Sequence, residues 1–83
     1  MKKLIIKKVD NYDYTLEDEN NNTCVLNMEF ISKYKPSSND IIYMDEKLLK
    51  EVNLFTFTES DEKNVDVKIV TINSTYYFKR IYG

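Results

Sequence analysis

Apolar and polar residues alternate along most of this chain, and the alternation limits its fold more than any other feature. The clearest stretch carries an apolar residue at every second position: Cys24, Leu26, Met28 and Phe30. Thr23, Asn27 and Glu29 lie on the opposite side of the same pattern. Successive side chains of a β-strand point to opposite faces, so a period of two predicts a strand with one buried face. The chain is therefore predicted to be mainly β.

Further strands are predicted where β-branched and aromatic residues recur: residues 4–9, 12–16, 41–44, 54–58, 65–69 and 75–82. We interpret the first two of these stretches as one long, bent strand. The last two are predicted to form a closing hairpin with its turn centred on Asn73 and Ser74. Polar residues that favour turns predict loops at residues 19–22, 33–40 and 59–62.

One short helix is predicted between Asp45 and Glu51. Asp45 is a suitable N-cap residue, and Glu46 carries a negative charge in the first turn, where the helix dipole favours it. Asn53 is predicted to end the helix. This places a helix between the short strand at residues 41–44 and the strand at residues 54–58.

This order of elements suits a small β-barrel. Five to seven strands with one short helix resemble an OB-fold, closed or partly open, and an SH3-like barrel is the alternative. Tight barrels often place glycine at their kinks, so the presence of one glycine in 83 residues counts against both. A chain of this length forms one small domain, predicted to cover residues 1–83.

The composition argues against catalysis. The chain has no histidine, which is the commonest general base near neutral pH and the commonest metal ligand. A single glycine cannot build a glycine-rich phosphate loop. Cys24 has no second cysteine to pair with, and its place in the apolar pattern predicts a small core residue. We therefore expect no enzymatic activity, no cofactor and no metal site.

One stretch matches most of a calcium-binding loop. Asp18, Asn20, Asn22 and, further on, Glu29 follow the EF-hand spacing, but Thr23 stands where the loop needs glycine at its sharp turn. A β-branched residue resists that conformation, and the flanking residues alternate as strands where an EF-hand has helices. A solvated hairpin turn is the expected structure here.

The charges are unevenly distributed. There are 12 basic and 14 acidic residues, a net charge of −2, which argues against a strong sequence-independent nucleic-acid binder. The first eight residues include four lysines: Lys2, Lys3, Lys7 and Lys8. The apolar run after the first lysines is too short for a signal peptide, and no stretch approaches the roughly 20 apolar residues of a membrane span. A cytoplasmic location without membrane contact is expected.

The aromatic last strand is the first candidate for a binding surface. Four of its residues share one face: Tyr76, Phe78, Arg80 and Tyr82. With Lys7 and Lys8 they form the predicted partner face, because stacked aromatic rings beside cations suit single strands and tyrosines suit protein interfaces. Tyr77 and Lys79 offer the same chemistry on the other face. The alternative is that the face richer in apolar residues fills the barrel.

Several stretches carry a resemblance to other proteins: NDIIYMDEKLLKE at residues 39–51, LFTF at 54–57, DVKIV at 66–70 and YYFKRIYG at 76–83. In them the chain resembles a group of small uncharacterised OB-like β-barrel proteins from low-GC Gram-positive bacteria. The resemblance implies a small stand-alone β-barrel and supplies no catalytic residues. Asn39 stands where that group is expected to have glycine, and asparagine accepts the left-handed conformation.

These observations favour a non-enzymatic binding or interaction module. Its expected partner is another protein, or a second copy of the chain. The alternative is single-stranded nucleic acid, bound on an OB-type aromatic and basic face.

Overall fold

The chain folds around one antiparallel sheet. The structure is a computed structural model that describes residues 1–29, 36–52 and 55–81. Its strands are β1 (Lys2–Asp10), β2 (Asp13–Glu17), β3 (Thr23–Asn27), β4 (Ile41–Met44), β5 (Thr56–Glu59), β6 (Val67–Val70) and β7 (Thr75–Ile81). The spatial order is β3-β2-β1-β4-β6-β7-β5, and the sheet curls into a half-barrel. The prediction of a mainly β chain is confirmed, and the architecture is compatible with a small-barrel fold.

The prediction of one long, bent first strand is wrong. β1 and β2 are separate strands that pair antiparallel, with Asp10 opposite Asp13. The two-residue turn between them begins at Asn11, whose φ is 56°. Asparagine adopts this left-handed conformation more readily than most residues, which allows a tight hairpin without glycine. The apolar pattern continues through the turn, so the sequence showed no gap between the strands.

The two ends of the chain contribute to the same sheet without being neighbours. β1 pairs with β4, β4 pairs with β6, and β6 pairs with β7. The β6–β7 turn spans residues 71–74, where the Thr71 amide donates to the Ser74 carbonyl at 2.8 Å. The predicted closing hairpin is therefore confirmed, with its turn centred on Ile72 and Asn73, one residue before the predicted centre. β5 pairs with the other edge of β7 and forms the end of the sheet.

The core lies on the concave side of the half-barrel. Its buried residues come from strands, from the helix and its C-cap Val52, and from Met28 just after β3: Leu4, Ile6, Tyr14, Leu16, Leu26, Met28, Ile42, Met44, Leu48, Val52, Val67, Ile69 and Phe78. Burial of these side chains is the main stabilising contribution, since a large aliphatic or aromatic side chain gains roughly 1.5–3 kcal/mol. Cys24 is partly buried and packs against this cluster, whereas Phe30 lies outside the described residues.

The helix α1 (Glu46–Glu51) follows β4 directly, close to its predicted position. Asp45 occupies the N-cap, but its side chain makes no capping hydrogen bond. Leu48 and Val52 are buried against the sheet, so α1 covers part of the core. The predicted end of the helix at Asn53 and the first residue of the predicted strand 54–58 lie outside the described residues.

Polar turns connect several strands. The predicted 19–22 turn is confirmed, residues 33–35 of the predicted 33–40 loop lie outside the described residues, and Glu59, predicted to begin a loop, is the last residue of β5. The 19–22 loop is held by Asp18, and Asn21 within it has φ of 64°. Asn39 has φ of 76°, so it takes the left-handed conformation expected from its position before β4. In the 61–64 turn, the Asp61 carboxylate accepts the amides of Lys63 and Asn64. Asparagine and aspartate replace glycine at these turns because they tolerate or stabilise unusual backbone conformations locally.

Candidate binding surface

The structure divides the predicted partner face between several environments. Phe78 is only 4% exposed and belongs to the core, so its ring has no surface on which a ligand could stack. Tyr76 is partly buried and packs against the core beside it. Arg80 is also on this side of β7, with its guanidinium 4.6 Å from the centre of the Phe55 ring. Tyr82 lies outside the described residues. This side of the last strand therefore fills the half-barrel.

Lys7 and Lys8 lie in β1, which β4 and β6 separate from Arg80 in β7. Both are exposed at an irregularity in the β1–β2 pairing, where the register shifts between Ile6 and Lys8. Lys7 forms an ion pair with Glu17, with a distance of 3.9 Å between Nζ and Oε2. The bulge turns the consecutive residues Lys7 and Lys8 towards solvent. They are therefore not part of the core-facing surface that Tyr76 and Phe78 occupy.

A different surface combines aromatic and basic residues. Buried side chains alternate with more exposed ones in β4, in β6 and around Leu4 and Ile6 of β1, and in β7 the buried Phe78 lies between Tyr77 and Lys79. The residues between the buried positions therefore point outwards. We call the surface that they form the outer face: Lys3, Ile5, Lys7, Ile41, Tyr43, Lys68, Val70, Tyr77 and Lys79. Lys7 and Lys79 are exposed and the others are half-buried.

Lysine and tyrosine alternate in one line across this outer face. Lys3 lies opposite Tyr43, Tyr43 opposite Lys68, and Lys68 opposite Tyr77. We call these four residues the lysine–tyrosine row. Neighbouring strands are about 4.8 Å apart, so the row is about 14 Å long. The Lys68 ammonium lies 5.3 Å from the centre of the Tyr43 ring, a cation–π contact that orients both side chains.

An aliphatic row runs parallel to it. Ile5 lies opposite Ile41, and Ile41 lies opposite Val70. These residues are two positions along their strands from the lysine–tyrosine row and lie on the same face. All three are half-buried. The outer face thus offers an apolar strip beside a line of aromatic rings and cations.

Four lysines lie on the outer face: Lys3, Lys7, Lys68 and Lys79. Glu17 of the neighbouring strand β2 lies opposite Ile5 and forms the ion pair with Lys7. Lys3 and Lys68 are the cations of the lysine–tyrosine row, and they favour a partner with acidic groups.

A small depression lies at the Tyr77 end of the row. It has a volume of about 200 Å³ and is lined by Glu59, Ser60, Thr75, Tyr76, Tyr77 and Phe78. The Ser60 amide donates to the Tyr77 carbonyl at 2.9 Å, which fixes the depression against β7.

The Asp18 loop, which matches part of a calcium motif, has a different arrangement. Oδ1 of Asp18 accepts the amides of Asn20 and Asn22 at 2.8 and 2.9 Å, and Oδ2 lies 3.4 Å from Lys2 Nζ. These hydrogen bonds, the one from the Asn22 amide above all, lower the pKa of Asp18. The carboxylate therefore organises its own turn, and Lys2 supplies the cation beside it.

A polar groove lies on the opposite side of the sheet. It has a volume of about 360 Å³ and is lined by Asp45, Lys47, Leu48, Glu51, Asp66 and Arg80. Asp66 Oδ2 accepts the Arg80 amide at 2.7 Å, so this carboxylate joins the start of β6 to β7. The groove mixes charges of both signs, which gives it no clear preference for one class of ligand.

No group of three or more histidine, cysteine, aspartate or glutamate residues is arranged to hold a metal ion among residues 1–29, 36–52 and 55–81. Burial raises the pKa of the Cys24 thiol, which keeps it protonated at neutral pH. Over those ranges, no helix has both the length and the hydrophobicity that crossing a bilayer requires.

No protein-family model, curated protein or solved structure matches the chain. The resemblance to small OB-like proteins of low-GC Gram-positive bacteria stays a prediction. The outer face must therefore be interpreted from its own geometry.

Sequence reasoning found Tyr77 and Lys79 only as the second choice of face and did not single out Tyr43 or Lys68. Each of these residues is ordinary within its own strand. They become a surface only through the register of four strands, two of which are distant in sequence from the others. The usable signal in the sequence was the apolar residues Val67, Ile69 and Phe78. They mark their own side of β6 and β7, opposite the outer face, as buried.

Proposed function

We propose that this chain is a non-enzymatic binding module that recognises a protein partner through its outer face. The observation that carries the proposal is the lysine–tyrosine row beside the aliphatic row. Tyrosine provides a large, rigid contact with a hydroxyl group at its tip, and it is enriched in protein interfaces. The aliphatic row adds apolar area, and the lysines add selection for acidic partners.

Single-stranded nucleic acid is the second candidate. Tyr43 and Tyr77 can stack against bases, and Lys3 and Lys68 can approach phosphates. Against it, affinity for nucleic acid grows with the number of phosphates that a protein neutralises, and the few lysines of this face belong to a chain with a net charge of −2. A protein partner is therefore the better supported of the two.

A selection from a random-peptide library tests this function. Selected peptides are synthesised and titrated against the wild-type protein and against Tyr77→Ala and Lys68→Gln. We expect Tyr77→Ala to weaken binding more than about fivefold, the effect of losing an aromatic anchor of an interface. Lys68→Gln should weaken it about two- to fivefold, as expected for one exposed ion pair.

Matched controls use residues away from the outer face. Lys63→Gln removes an exposed lysine from the 61–64 turn and should leave affinity unchanged. A thymidine oligonucleotide titrated at low salt tests the second candidate. The proposal fails if no peptide is enriched, if Tyr77→Ala and Lys68→Gln bind as wild type, or if the oligonucleotide binds more tightly than the selected peptides.

A further inference from the structure

The sheet ends at β3, and one side of that strand is a free edge. Across residues 1–29, 36–52 and 55–81, β3 pairs with β2 alone. The Met28 amide, just after β3, donates to the Tyr12 carbonyl at 2.8 Å. Bonded pairs recur at every second residue of an antiparallel ladder, so the main chain of Cys24 and Leu26 bonds to β2. The main chain of the residues that alternate with them points to the free edge: Thr23, Val25 and Asn27.

The side chains of β3 differ between the two faces of the strand. On the concave side, Leu26 is buried and Cys24 is half-buried against the core. On the other side Val25 is 67% exposed, and Thr23 and Asn27 are exposed as well. A strand added at this edge would therefore place one set of side chains beside the core and the other set in solvent.

β3 lacks the features with which proteins usually protect an edge strand. Such strands carry lysine, proline or an inward-pointing charge, or they contain a bulge. The five residues of β3 include no charged residue and no proline, and they pair with β2 without a register shift. An edge of this kind is a template for one more strand.

The surroundings of this edge are acidic. Residues 9–29 contain no lysine or arginine and six acidic residues: Asp10, Asp13, Glu17, Asp18, Glu19 and Glu29. Two of the six form ion pairs, with Lys7 and Lys2. Asp13 lies directly opposite Asn27, and its Oδ1 accepts the Asn27 side-chain amide at 3.2 Å, so this carboxylate lies beside β3.

The charge indicates which strand the edge accepts. A second copy of the chain paired along β3 would bring two acidic regions together, and like charges on neighbouring strands are destabilising. A strand with basic residues is attracted instead, because the acidic region lowers its electrostatic energy. The apolar residues Cys24 and Leu26 favour an apolar residue at every second position of that strand.

We propose that the free edge of β3 accepts an extended, basic segment of a partner protein as an added β-strand. Lysine or arginine residues of the segment lie on the same side as Val25, and the apolar residues between them extend the core beside Cys24. Main-chain hydrogen bonds provide the affinity, and the alternation provides the specificity. β2 separates this edge from the outer face, so the site is additional to the proposed function.

Three labelled peptides test this inference by fluorescence anisotropy. The first is Lys-Val-Lys-Val-Lys-Val-Lys, and the others carry N-methyl groups on three lysine amides or on the three valine amides. Residues of a bonded pair share one face, so the lysine amides point to β3 and the valine amides point away. We expect methylated lysines to weaken binding at least about tenfold and methylated valines less than about threefold, although the two peptides have equal charge.

Protein variants test the same contact from the β3 side. Val25→Pro removes an amide that points to the free edge, where proline is tolerated, and should weaken binding at least about tenfold. Val25→Thr keeps the amide and a β-branched side chain and should bind as wild type. Asp13→Asn should weaken binding about two- to fivefold. Its control, Glu62→Gln, removes an exposed charge from the 61–64 turn and should not.

Amide hydrogen exchange locates the added strand. In the free protein, the amides of Thr23 and Val25 should exchange faster than those of Cys24 and Leu26, which bond to β2. Saturation with the unmethylated peptide should slow exchange at Val25 at least about tenfold. Protection of Val25 in the dilute free protein would show that the edge is already paired and would overturn the inference.

Other outcomes also count against it. Equal binding of the two methylated peptides would show that charge alone accounts for affinity. Loss of affinity in Tyr77→Ala would place the peptide on the outer face. A dimer in light scattering that Val25→Pro abolishes would make the second copy the occupant. Amide-resolved NMR spectra establish that each variant is folded, and the methylated peptides keep the inference testable if Val25→Pro is not.

Discussion

The two faces of β7 contribute differently to the free energy of unfolding. Substitutions at the adjacent residues Tyr77 and Phe78 measure the difference. Phe78 is 4% exposed in the core, whereas Tyr77 is half-buried on the outer face. Replacing a buried phenylalanine by alanine costs about 3–5 kcal/mol, because it removes apolar contacts and leaves a cavity. Tyr77→Ala leaves no buried cavity, and we expect it to cost about 1 kcal/mol.

The predicted cost of Phe78→Ala is large compared with the stability of a domain this small. A chain of 83 residues has a free energy of unfolding of about 4–12 kcal/mol. A loss of 3 kcal/mol or more corresponds to a fall in melting temperature of at least about 12 °C for a domain of this size. Because Phe78→Ala can approach the limit of folding, Phe78→Leu provides a second comparison, with an expected cost of about 1–2 kcal/mol.

Urea denaturation followed by far-ultraviolet circular dichroism measures these costs. Tyr77→Leu serves as the matched control for Phe78→Leu, since both place the same side chain at adjacent positions. We expect Phe78→Leu to be the less stable of the two proteins. Equal stabilities within about 0.5 kcal/mol, or a larger loss at Tyr77, would refute the assignment of β7 faces and with it the outer face.

Three further predictions concern the turns and the single thiol. In urea denaturation, Asn21→Val should lower the free energy of unfolding by about 1–2 kcal/mol, because φ of 64° is unfavourable for a β-branched residue. Asn21→Gly should be close to neutral. Equal costs of the two substitutions would contradict this. The hydrogen bonds to Asp18 lower its pKa below 3.8, so its charge stabilises the folded state above that pH, and this contribution is lost as the pH falls through the folded-state pKa. The stability advantage of the wild type over Asp18→Asn should therefore shrink below about pH 4. A difference in stability that stays constant with pH would contradict the assignment. Burial raises the pKa of Cys24, so iodoacetamide at neutral pH should alkylate the native protein more slowly than the urea-unfolded chain, and equal rates would show that the thiol is not shielded.

The sequence predicts much of this fold because alternation and turn composition are local properties. The period of two at Leu26 and Met28 identifies which side of that segment is buried, and asparagines identify turns that lack glycine. The hairpin at Asn11 was not predicted, because a two-residue turn interrupts the apolar pattern too briefly to be distinguished from a bend. Its positive φ is a property of the folded backbone.

The binding surface was harder to predict than the strands that form it. Tyr76 and Tyr77 are both half-buried but lie on opposite faces of β7, and the last strand carries apolar residues on both faces. Which face is buried depends on pairing with β5 and β6, which is a long-range property. Likewise, Tyr43 and Lys68 are 25 positions apart in the sequence and are brought together by the β4–β6 register.

An amide-resolved NMR titration tests the central claim most directly. Uniformly labelled protein is titrated with the tightest peptide from the library, and the shift changes are mapped onto the sheet. We predict that the largest changes lie at Lys3, Tyr43, Lys68 and Tyr77. Largest changes around Arg80 and α1 would place binding in the polar groove on the other side of the sheet and would contradict the account.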